Sequence, residues 1–193
     1  MKKRFILLLW LVAGHVSAFS QTELTDLLRK PQITQGHFIQ QRFLKSLSKP
    51  ITATGEFTLV KNKGLLWQMQ KPFESSQRVT PEGIMQWNGE SWVATNSLAQ
   101  NQQIRLFLGL LGGDVESLKN QFDLHLSGEA EHWVLRLIPN TVLIQQIFTA
   151  IEIQGDHSVK QIELREKQGD KTLIRFNRVS LDKPLSAFAQ SAL

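Results

Sequence analysis

The chain has 193 residues, 41% of them hydrophobic and 20% charged, the size and balance of one globular domain with its own core rather than of a disordered segment. It contains no cysteine, which excludes disulfide frameworks, thiolate metal sites, cysteine nucleophiles and a lipidated N-terminal cysteine. The net charge of +5 is local: three of the 22 basic residues are Lys2, Lys3 and Arg4, the others are interspersed with 17 acidic side chains, and no nucleic-acid partner is expected.

Those three cations open a secretory pattern. An apolar run over residues 5–13 follows, then His15, then Val16-Ser17-Ala18, a small-residue site that predicts a signal peptide over 1–18 with cleavage after Ala18. The run is too short to span a bilayer. The expected mature chain is therefore a single domain over 19–193, exported from the cytoplasm.

It begins with a helix. Ser20 and Glu23 have capping-box spacing, Phe19 can staple onto Leu24, and Leu24, Leu27 and Leu28 share one face before Pro31. The period then changes to two. Odd positions over 51–59 are apolar or small against Thr and Glu, the turn Lys61-Asn62-Lys63-Gly64 follows, and Leu65, Trp67 and Met69 resume the alternation up to Pro72. Turn residues at Pro81-Glu82-Gly83 and Asn88-Gly89 bracket Met85 and Trp87, and Trp92 follows. Further strands are predicted at 122–126, 133–138, 150–154, 158–165 and 172–178, with turns at Gly128, Gly155-Asp156 and Gln168-Gly169-Asp170. Strands at hairpin spacing without crossover helices form an antiparallel meander.

Two segments depart from it. Ile104, Phe107, Leu108 and Leu111 have helical spacing, with Leu106 and Leu110 making that helix apolar nearly all round until Gly112-Gly113, so it must be buried or cover an apolar surface. Residues 142–148 fit either a helix or a strand, and a short helix is the preferred reading.

Catalytic patterns are absent. His125 and His132 flank a turn with Glu129 and Glu131 but offer too few converging ligands for zinc. Glu163 and Glu166 lie among Arg165 and Arg175, which fits a solvated cross-strand face. There is no nucleophile elbow, zinc-protease helix or phosphate loop, so no enzyme, metal or cofactor is expected. What stands out is soft apolar bulk at alternating positions: Phe57, Leu65, Trp67, Met69, Met85 and Trp87. On one face of a curved sheet these would line a pocket for alkyl chains; the plain alternative is ordinary core.

The ordered set Phe38-Ile39-Gln40-Gln41-Arg42-Phe43, Pro50 to Phe57 ending in Gly55-Glu56-Phe57, Gly64-Leu65-Leu66-Trp67, Lys71-Pro72-Phe73 and Thr80-Pro81-Glu82-Gly83 resembles the LolA family of periplasmic outer-membrane lipoprotein carriers. The match is densest from Phe38 to Trp87 and extends loosely to Gly169-Asp170-Lys171-Thr172. The resemblance implies an incomplete, half-open antiparallel β-barrel with a helical lid over an apolar cavity. It also implies a monomeric carrier of acyl chains, loaded by an inner-membrane release complex and unloaded to an outer-membrane receptor. The absence of cysteine separates this chain from the lipid-anchored receptor of the same fold. By position, Leu65, Trp67 and Met69 fall on the cavity-lining strand, and Phe107 and Leu110 on the lid. Two departures stand out. The family's lid-latching arginine has only Lys61 and Lys63 as counterparts, and lysine lacks the planar fork. The tail after Arg178 lacks the family's Phe-x-Phe-x-x-Pro ending. An acylated or polyene lipid other than a lipoprotein is the alternative cargo; a secreted hydrolase and a structural β-domain are the rival readings.

Overall fold

Alternation of apolar and polar side chains organises most of the chain into strands, and each turn sends the next strand back beside the last. The computed structural model describes residues 19–94, 111 and 115–193. Eleven strands form one antiparallel sheet: β1 (Ile33–Phe43), β2 (Ile51–Val60), β3 (Gly64–Lys71), β4 (Ser75–Thr80), β5 (Gly83–Trp87), β6 (Trp92–Ala94), β7 (Phe122–Glu129), β8 (His132–Pro139), β9 (Phe148–Gly155), β10 (Val159–Glu166) and β11 (Lys171–Leu181). Their spatial order is β6-β5-β4-β3-β2-β1-β11-β10-β9-β8-β7, two meanders joined where β1 pairs with β11. The sheet does not close, and β6 and β7 stand at its two edges. This is the half-open barrel expected.

Four helices are described: α1 (Gln21–Arg29), α2 (Val115–Leu118), α3 (Val142–Gln145) and α4 (Ala187–Ala192). The first starts where its capping box lies. The Ser20 hydroxyl accepts from the Glu23 amide at 3.2 Å, and the Glu23 carboxylate accepts from the Ser20 amide at 2.7 Å. The helix expected over 142–148 is confined to α3; Phe148 already belongs to β9, where it is buried and opposite Glu166. Pairing along a β10 edge satisfies the backbone that a longer helix would have satisfied internally. The remaining expected strands are present, and β1 starts earlier than the motif, at Ile33.

One core lies on the inner face. Side chains in register across the sheet form apolar rows: Leu126, Leu135, Ile153, Ile162 and Ile174 in one half, and Leu59, Leu65, Val79 and Ile84 in the other. Leu24 of α1 and Val115 and Leu118 of α2 are buried in the same core. Two glycines allow aromatic rings to lie flat on the sheet. At Gly55 a Cβ would overlap the Gln68 carbonyl oxygen and lie 2.8 Å from the Phe38 ring; at Gly155 it would meet the indole of Trp133. Gly55→Ala should therefore lower stability by about 1–3 kcal/mol, the ordinary cost of overpacking, measured by urea denaturation. An unchanged midpoint would mean that Phe38 and β3 yield freely.

Candidate functional site

The inner face of β1–β3 and β11 carries a cluster of large aromatic side chains, placed there by parity and register. Phe38 pairs with Gly55 and Phe176, Gly55 with Met69, and Phe57 with Trp67. Phe38 and Trp67 stack with ring centroids 3.8 Å apart, Phe57 meets Phe176 edge-on at 5.0 Å, and Trp67 meets Phe176 edge-on at 6.3 Å. Phe38, Phe57 and Leu65 are buried, whereas Trp67 and Met69 are half-buried and pack against the core. Phe57, Leu65, Trp67 and Met69 thus share one apolar face.

Met85 and Trp87 do not join them. Ile84 opposes Val79 and faces the inner core, which puts Met85 and Trp87 on the outer face beside Leu66 and Arg78. There Trp87 lies 5.3 Å from Trp92 and 5.7 Å from Phe188 of α4. The chain's end folds back over this face, burying Leu66, Ala189 and Ala192, and Arg78 donates from Nη1 to the Ala192 carbonyl at 3.2 Å while lying 4.9 Å from the Trp92 ring. The expected shared face fails because Ile84 and Met85 are both apolar neighbours, and the β4–β5 turn selects Ile84 for the inside.

The helix α1 packs into the inner core through Leu24, Leu27 and Leu28, with Leu28 beside Phe57 at one end of the aromatic cluster, and it is tied at each end. Its first turn is fixed by the Ser20–Glu23 box, and Gln21 donates from Nε2 to the Leu124 carbonyl of edge strand β7 at 3.2 Å. At its C-terminal end Lys61 donates from Nζ to the Arg29 carbonyl at 2.9 Å, a cation placed at the negative end of the helix dipole. Lys61, one of the two latch candidates, therefore holds α1; Lys63 stands exposed in the β2–β3 turn. Phe107 and Leu110 lie outside the described residues. Leu111, the last residue of the apolar segment containing them, is buried.

Leu111 lines a void under the C-terminal end of α1, together with Leu28, Phe57, Leu59 and, from the opposite half of the sheet, Val159. Its volume is about 20 Å³, room for about one water molecule and far too little for an alkyl chain. A larger hollow of about 360 Å³ opens on the outer face, but His37, Thr54, Gln70, Asn177 and Arg178 give it a polar wall unsuited to acyl chains. Of these two, the inner void has the more apolar wall, interrupted by Thr34, His157 and Ser158.

The other sequence candidates are dispersed. His125 opposes Arg136 and His132 opposes Glu129, and the described residues hold no cluster of three or more metal-ligating side chains. Glu163 accepts from Arg165 Nε at 2.6 Å, and Glu166 lies 3.5 Å from Arg42, so both carboxylates are engaged in ion pairs. Sequence reasoning missed Phe176 and the packing role of Phe38; the Phe38-x-Gln40 alternation was the available signal.

Known proteins offer three comparisons. Residues 29–189 match the family model described as outer membrane lipoprotein carrier protein LolA. The fold resembles the crystal structure of the LolA superfamily protein NE2245 from Nitrosomonas europaea, with a TM-score of 0.51 and 12% identity over 92% of this chain and 98% of that one. It also resembles the crystal structure of MucB, with a TM-score of 0.54 and 16% identity over 91% of this chain and 62% of that one. This chain thus spans less than two thirds of MucB, and at these identities the likeness is one of fold. No curated protein sequence matches.

Two predictions concern the ties on α1. Hydrogen bonds from Ser20, first from its amide and then from its hydroxyl, hold the Glu23 carboxyl below its ordinary value. A carboxyl depressed in the folded state contributes stability above its unfolded pKa and loses it as pH falls through the folded one. Amide protection in the first turn of α1 should therefore fall below about pH 4, and Glu23→Gln should abolish that dependence. Lys61→Met should raise hydrogen exchange at the last turn of α1, at a cost of about 0.5–1 kcal/mol, with little change in β2 and β3.

Proposed function

This chain belongs to the LolA family of outer membrane lipoprotein carrier proteins, and from that premise we propose that it is a periplasmic carrier that shields acyl chains against the inner face of its open sheet. The observation that carries the reading is the cluster of Phe38, Phe57, Trp67, Met69 and Phe176 on the inner face of an open sheet. A short helix packs into the same core through Leu24, Leu27 and Leu28 and is hydrogen-bonded near its ends. Each methylene kept from water is worth about 0.8 kcal/mol, so a long acyl chain gains much from such a surface.

A 20 Å³ void holds no such chain. The proposed loading step is therefore displacement: α1 moves away from the Phe57 end of the cluster as the chain enters. Opening exposes Leu24, Leu27 and Leu28 and breaks the few polar ties on α1, a cost that burial of the cargo offsets. Soft Met69 and the half-buried Trp67 can change rotamer to accept the chain. Phe57 and Leu65 form the floor, and Lys61 acts as the latch. In this reading the cargo is the acyl part of a lipoprotein, with an acylated or polyene lipid of another kind as the alternative; an inner-membrane release complex supplies it and an outer-membrane receptor takes it. No covalent chemistry is assigned to the site. The burial of Phe38, Phe57 and Phe176 among the described residues favours a second reading, a structural β-domain whose aromatic cluster is core alone.

Native mass spectrometry of protein exported to the periplasm and purified without detergent distinguishes the two. The carrier reading expects a co-purifying acylated species; protein free of lipid, and refusing long-chain acyl probes, contradicts it. Trp67→Ala should reduce retention of an acyl probe several-fold at a stability cost of about 2–3 kcal/mol, less than for a fully buried aromatic. Trp87→Ala, on the outer face, should loosen α4 and leave retention unchanged.

A further inference from the structure

Strand pairing places five connections in a rim at one end of the sheet: the β1–β2, β3–β4 and β5–β6 loops, the β10–β11 turn and the segment between β8 and β9 that contains α3. Three of them are linked by hydrogen bonds. The Lys45 amide donates to Asp170 in the β10–β11 turn at 3.0 Å, and the Lys167 amide of that turn donates to the Ile147 carbonyl after α3 at 2.9 Å. Most of the exposed large apolar side chains stand on this rim: Leu47 at 50%, Ile51 at 49%, Phe73 at 77%, Val142 at 72% and Leu143 at 55%. The opposite end has polar tips at Lys61, Asn62, Lys63, Glu82, Glu131 and His157, and its large apolar exposure among the described residues is Leu181 at 39%.

We propose that this rim is a membrane-docking edge, which seats Leu47, Phe73, Val142 and Leu143 in the interface of a bilayer carrying anionic headgroups. Single apolar tips on separate loops need no matching pocket; a lipid interface accepts each of them independently. Charge fits the same surface. Lys45, Lys49, Lys71 and Lys167 stand among the tips against Glu74, Glu90 and Asp170, and Glu166 is paired with Arg42. Lysine stems can lie along the apolar tips while their ammonium groups meet lipid phosphates. The proposal goes beyond the carrier reading and does not depend on what the interior holds.

The absence of cysteine allows a single reporter at any chosen position. Phe73→Cys, Leu143→Cys and Glu131→Cys, each bearing an environment-sensitive fluorophore, would be mixed with vesicles of phosphatidylethanolamine and phosphatidylglycerol. The proposal expects a blue shift, and quenching by brominated lipid, at 73 and 143 and neither at 131. It also expects the double variant Phe73→Ser and Leu143→Ser to lower the vesicle-bound fraction roughly fivefold or more while the thermal midpoint holds, since both side chains are exposed. No shift at the rim, an equal shift at 131, or a rim shift that appears with rising protein concentration in the absence of vesicles would overturn it, the last by assigning the rim to contact between copies of the chain.

Discussion

An antiparallel sheet that stops short of closure leaves an apolar inner face open between its two edge strands, and the rest of this protein is organised around keeping that face from water. Closure would have turned the face into a sealed core. Here the cover is supplied by α1, α2 and Leu111, pieces too short to be stable alone. Their position depends on what they bury and on a few hydrogen bonds: the Ser20–Glu23 box, Gln21 to Leu124 and Lys61 to Arg29. A cover held this way is local in its energetics, since those ties can break without disturbing the long β1–β2 and β1–β11 ladders beneath.

The outer face explains why the β3–β6 region is apolar on both sides. Leu65 and Leu66 are successive residues and both buried, one under the inner core and the other under α4. That second layer uses Trp87, Trp92 and Phe188 as packing, with Arg78 bridging from the sheet to the Ala192 carbonyl. Large aromatics therefore do two jobs in this chain, and only those in register with Phe38 and Phe57 belong to the proposed cargo surface.

Much of this was legible in the sequence because period-two alternation and turn residues are local. The capping box at Ser20, the strands flanking Lys61–Gly64 and the late hairpins all follow from neighbouring side chains. So does the common face of Phe57, Leu65, Trp67 and Met69. What failed was non-local. Ile84 and Met85 are both apolar, so alternation alone leaves open which of them faces inward; the β4–β5 pairing and the return of α4 decide it. Nothing in the small-residue run after Ser186 announces that it will bury Leu66. In the same way, the family resemblance singles out Lys61 as a latch candidate, but its partner is α1, fixed by a carbonyl distant in sequence.

The central claim is that an acyl chain is shielded against the aromatic cluster as α1 gives way. Isotope-filtered nuclear Overhauser measurements between a long-chain acyl ligand and the protein test this most directly. The account predicts contacts from chain methylenes to the Trp67 indole, the Met69 methyl and the Phe57 ring, together with loss of the contacts that Leu24 and Leu28 make in the core. Ligand contacts confined to the outer face around Trp87 and Phe188, with the α1 contacts intact, would contradict it.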